Sequence, residues 1–130
     1  MGTTNTINVT ACDNQLLICA TQSGLSYAIV DLNSGFGNPV DATINIVAGA
    51  YQGGYYGNNV NGGSLPPGTV ALPAGTYDLT CIGIDWGGPF QITFTVNGVQ
   101  YGSSTSSYPP VEDIGVLWST GTTPITITVS

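Results

Sequence analysis

Phe90-Gln91-Ile92-Thr93-Phe94-Thr95-Val96-Asn97-Gly98-Val99-Gln100-Tyr101 is the stretch that decides the fold. Phe90, Ile92, Phe94 and Val96 alternate with Gln91, Thr93 and Thr95, the period-2 pattern of a strand with one dry and one wet face. Asn97-Gly98 then supplies two residues that tolerate positive φ, the requirement of a type I′ turn, and a second strand begins at Val99. The segment predicts an antiparallel hairpin.

The same alternation recurs at both ends of the chain. Ile7, Val9 and Ala11 alternate with Asn8, Thr10 and Cys12, and Ile125, Ile127 and Val129 alternate with Thr126, Thr128 and Ser130. Further strands are predicted over 16–22, 26–32, 41–48, 69–73, 76–84 and 114–119, and 51–68 reads as a long loop. Turn-forming clusters separate them at 33–39, Pro66-Pro67-Gly68, Pro73-Ala74-Gly75 and Gly87-Gly88-Pro89. Asp13-Asn14-Gln15 reads as one more hairpin, between a strand over 5–12 and the strand over 16–22. The 130 residues include 17 Thr, 11 Val and 11 Ile, with a single Glu and no Lys or Arg. β-branched side chains favour the pleated surface, and the missing types are the usual helix formers. No helix beyond a turn or two is expected. About nine or ten short strands in a single domain over 1–130 predict an all-β antiparallel β-sandwich, jelly-roll or immunoglobulin-like.

Charge excludes whole classes of function. Seven acids stand against no Lys, Arg or His, a formal net charge of −7. Nothing here can neutralise phosphates, so no nucleic-acid partner is expected, and no attraction to an anionic membrane. A Schiff-base lysine, an imidazole base and an arginine clamp are all impossible. Glycoside hydrolysis needs only two carboxylates, but Glu112 and Asp113 are adjacent, and neighbours on a strand point to opposite faces. No enzyme is expected. The first residues have neither a basic nor an apolar region, so no signal peptide is expected among them.

Three groups of residues are candidates for function. Tyr51-Gln52-Gly53-Gly54-Tyr55-Tyr56-Gly57-Asn58-Asn59-Val60-Asn61 joins aromatic faces to amides that donate and accept hydrogen bonds. With Trp86 as an extension, Tyr51, Tyr55, Tyr56, Asn58, Asn59 and Asn61 form the vocabulary of a neutral-glycan site; the same mixture also suits protein recognition. Asp31, Asn33 and Asp41 bracket an Asx-rich loop that suggests calcium. Its pattern fails as an EF-hand, with Gly35 fifth, Phe36 sixth and Ala42 twelfth. No other cofactor is expected. Cys12, Cys19 and Cys81 are odd in number. Alternation puts Cys12 on the polar face of its strand, making it the candidate for an interchain cross-link, while Cys19 and Cys81 read as buried.

A surface rich in hydroxyls and amides, without cations, suits exposure to proteases, close packing of copies, or contact with neutral glycans. The expected function is a non-enzymatic extracellular or cell-surface structural subunit. It would assemble with itself into a filament or surface array through strand edges, with residues 1–10 as an exchanged or added strand. The alternative is a carbohydrate-binding module, or lectin, acting through 51–61.

Overall fold

Alternating residues become strands throughout the chain. The computed structural model describes residues 4–34, 40–60, 63–64, 66–85, 90–105, 115–119 and 125–130. In chain order the strands are β1 (Asn5–Gln22), β2 (Leu25–Ser34), β3 (Val40–Ala48), β4 (Tyr55–Val60), β5 (Gly63–Ser64) and β6 (Gly68–Leu72). They continue with β7 (Gly75–Asp85), β8 (Phe90–Val96), β9 (Val99–Thr105), β10 (Gly115–Ser119) and β11 (Ile125–Val129). The described residues include no helix.

The architecture is a β-sandwich whose two sheets share β1. The front of β1 lies between β3 and β8, giving the order β9-β8-β1-β3-β6. The back of β1 lies between β2 and β7, giving β4-β2-β1-β7, with β10 and β11 both pairing with β7 beyond it. Asp13 pairs with Ser34 and with Gln91, so β2 and β8 flank β1 on opposite sides. One cluster of buried side chains fills the space between the sheets, including Ile7, Val9, Ile44, Ile46 and Phe94 from the first sheet and Leu16, Ile18, Tyr77 and Leu79 from the second. The edge pairings β2–β4 and β3–β6 are parallel, which departs from the wholly antiparallel order expected.

The hairpin at Asn97-Gly98 is as predicted. Asn97 has φ 50° and Gly98 φ 85°, and Val96 pairs with Val99. The turn is also clipped to β1. Asn97 N donates to Thr6 O at 2.8 Å, Thr6 N to Asn97 Oδ1 at 2.8 Å, and Asn97 Nδ2 to Asn5 Oδ1 at 2.9 Å. Asn5 is buried, and its Nδ2 reaches across to Thr128 O of β11 at 2.8 Å. A buried amide is tolerated when its hydrogen bonds are made, and this one ties the two sheets together.

Two expectations about the N-terminal region are corrected. The chain makes no hairpin at Asp13-Asn14-Gln15; β1 runs through it, with register shifts at Val9/Ala11 and at Asp13/Asn14. Those shifts change the phase of the strand. Inward residues are odd up to Ala11 and even from Cys12, so Cys12 is 1% exposed rather than on the polar face. Residues 5–9 pair with β3 and residues 7–9 also with β8, all within their own chain; an exchanged strand would make these same pairs in a neighbouring copy.

Candidate functional site

The tyrosines of 51–61 have three different fates. Tyr51 lies ahead of β4, and its hydroxyl donates to Ala28 O at 2.8 Å. Its ring packs against Tyr27 at 5.0 Å, which meets Tyr77 at 6.0 Å. Burial, aided by Tyr56 and Cys19, raises the Tyr51 pKa above its ordinary value. Tyr55 donates its hydroxyl to Pro66 O at 3.0 Å, and its ring covers Gly68, where a β-carbon would collide with it. Both rings therefore brace the fold. Tyr56 follows Tyr55 on β4, so it points the opposite way and is 63% exposed. Asn58 and Asn59 stand on β4, where only the backbone is described, and Asn61 and Trp86 lie outside the described residues.

Tyr56 does have polar neighbours. It sits in register with Asp31 of β2, and an open groove of about 370 Å³ is lined by Asp31, Asn33, Tyr56 and Gly57. Gln15 Nε2 donates to Asp31 Oδ1 at 2.8 Å, which fixes the carboxylate from the neighbouring strand. The pairing that places Tyr56 here was not legible while 51–68 read as a loop; the outward phase of Tyr56 would have followed from reading 55–60 as a strand.

Of the three oxygen ligands suggested for calcium, Asp41 is not brought to Asp31 and Asn33. Asp31 pairs with Leu17 of β1, whereas Ala42, the neighbour of Asp41, pairs with Val9. Eight residues of strand separate those positions, on the order of 20 Å, far beyond a shared ion. Asp41 Oδ1 instead accepts from Asn8 Nδ2 at 2.9 Å. Among the described residues no three His, Cys, Asp or Glu converge, and residues 35–39 of the loop lie outside them.

Cys81 is buried, as expected, and Cys12 is buried against expectation; Cys19 is only half-buried. No disulfide joins the three. With Cys12 in the core, its thiol cannot meet another chain's sulfur without local opening. Burial raises the Cys19 pKa above its ordinary 9.0, so at a given pH it holds less thiolate than an unfolded cysteine and reacts more slowly. Iodoacetamide at about pH 8 should therefore label the native chain slowly and at Cys19 alone, whereas the chain in guanidinium should label at all three. Fast native labelling of Cys12 would contradict this arrangement.

Comparison with known proteins adds no relatives: no protein-family model matches the chain, and neither a curated protein nor a solved structure matches it significantly.

Proposed function

We propose that the chain is a non-enzymatic structural subunit, displayed outside the cell or on its surface, that joins copies of itself by strand pairing. The observation that carries this reading is the edge strand β9. It pairs with β8 along its whole length, and among the described residues no strand pairs with its other side. Its sequence, Val99-Gln100-Tyr101-Gly102-Ser103-Ser104-Thr105, has no charge and no proline, and Val99 is 55% exposed. Soluble proteins commonly blunt such edges with lysine, proline or bulges. The opposite edge of the same sheet has that protection, because Pro66-Pro67 and Pro73 bracket β6. β11, Ile125-Thr126-Ile127-Thr128-Val129, also lacks charge and proline, but Asn5 Nδ2 bonds its Thr128 O, so it is less open than β9.

Composition supports the same reading. Seven carboxylates are the only side-chain charges at neutral pH, too few and too dispersed to oppose close contact once salt screens them. Without Lys or Arg the chain offers no trypsin-type cleavage site, which suits life among extracellular proteases.

The pairing makes a residue-level prediction. In a two-residue hairpin the closing pair Val96–Val99 exchanges both hydrogen bonds, so the amides of Gln100 and Gly102 face away from β8. Hydrogen exchange at these two amides should slow as protein concentration rises, while exchange in the central strand β1 stays unchanged. Equal exchange at Gln100 and Gly102 in dilute and concentrated protein would remove β9 as the contact.

A further inference from the structure

We infer that the groove beside Tyr56 is a binding site for a neutral, hydroxyl-rich ligand of the pyranose-sugar class. The ligand chemistry follows from the lining. The exposed Tyr56 ring offers an apolar face to the C–H side of a sugar ring. Asp31, across the β2–β4 pair, offers carboxylate oxygens to hydroxyl donors, and Asn33 adds an amide that both donates and accepts. Asp31 and Asn33 are two apart on β2, so they stand on one face, about 7 Å apart along the strand. Gly57 adds no side chain to fill the space.

The carboxylate is positioned in advance. Gln15 Nε2 holds Asp31 Oδ1 at 2.8 Å, and an ionised carboxylate has about four acceptor positions, so this bond leaves capacity for hydroxyls. Fixing a polar group before the ligand arrives lowers the ordering cost of binding. Charge selects against other ligands. With one carboxylate in the lining among the described residues and a net charge of −7, phosphates and acidic sugars are repelled. A single carboxylate is also a poor set for a divalent cation, which takes six or more oxygens.

The groove and the assembly edge do not compete. β4 lies beyond β2, and β9 lies beyond β8, on opposite sides of β1. A subunit paired through β9 keeps the Tyr56 groove open, so an assembly would present many copies of a weak site, and multivalent display strengthens weak binding.

The test is a titration of the full chain, followed by NMR, with glucose, galactose, mannose, N-acetylglucosamine and cellobiose separately. A shallow site with one aromatic platform should bind at least one of them with a Kd of about 1–10 mM, shifting the Tyr56 ring and Asn33 amide signals saturably. Tyr56→Ala and Asp31→Asn should each weaken that binding about tenfold or more, with thermal melts that match wild type. Three results would overturn the site: no saturable shift with any of the five sugars at about 50 mM, undiminished affinity in either variant, or saturable shifts confined to residues away from β2 and β4. All three read sugar binding alone, so they are separate from the fate of the β9 contact.

Discussion

A chain lacking residues 2–9 should fail to fold. Residues 5–9 lie in the centre of the first sheet, all paired with β3 and residues 7–9 with β8 as well. Their removal strips Ile7 and Val9, both 0% exposed, from the core. Each such side chain contributes about 1.5–3 kcal/mol by burial alone, before any cavity term. The facing edges of β3 and β8 then lose their partners, and each buried backbone group left unpaired costs about 1–3 kcal/mol. Asn5 goes too, with its link between β11 and the Asn97 turn. Losses on this scale are comparable to the roughly 5–15 kcal/mol by which a domain is stable. Proton NMR of the truncated chain should show collapsed amide dispersion, and circular dichroism should show no cooperative melt. A melt within a few degrees of wild type would contradict the central position of this strand.

Tyr77→Ala should cost about 3–5 kcal/mol, the usual penalty for deleting a large buried ring. Tyr77 is 1% exposed, meets Tyr27 edge-on, and donates its hydroxyl to Pro73 O at 2.6 Å. Tyr77→Phe separates the two contributions, because it keeps the ring and drops the hydroxyl. It should cost about 1 kcal/mol, more if Pro73 O is left without another donor. Burial also raises the Tyr77 pKa, with a smaller contribution from Tyr27. The neutral phenol is thus the form the fold prefers. Its stabilisation is complete below the pKa of an unfolded tyrosine and is lost as pH rises through the higher folded value. Urea melts of the two variants at neutral pH give the two costs directly. Equal losses in both would mean that the ring's packing contributes nothing beyond its hydroxyl.

Locally coded strands were legible before the fold was known. The alternation over 90–96 and 125–129, and the Asn97-Gly98 turn, each depend on residues within a few positions of one another. β2, β3, β6, β7 and β10 also fall where turn clusters and β-branched runs put them. The errors arose where a local pattern has two solutions. A phase change between Val9 and Leu16 is satisfied equally by a turn at Asp13-Asn14-Gln15 or by bulges in one continuous strand. What selects the strand is pairing with β2 and β8, whose residues lie some 20 and 80 positions away. The misplacement of Cys12 follows from that one choice.

The candidate site was legible as chemistry and not as geometry. Composition identified the tyrosines of 51–61, but a loop assignment gives adjacent tyrosines no sides. Once Tyr55–Val60 is a strand, Tyr55 must face in and Tyr56 out. The partnership of Tyr56 with Asp31 and Asn33 depends on the parallel pairing of β2 and β4, which parallel strands reach only through a long connection. No local signal announces it.

The central claim, self-association through the edge of β9, is tested most directly by sedimentation velocity on wild type and Gln100→Pro from about 1 µM to about 1 mM, the span in which weak strand pairing saturates. Proline at 100 removes an outward amide without touching the β8–β9 ladder, and matching thermal melts establish that the variant is folded. Val99→Glu, which puts a charge on the exposed edge strand, serves as a second variant. Wild type should sediment faster as concentration rises, while both variants remain monomers. Wild type that stays monomeric throughout, or variants that assemble as it does, would contradict the account.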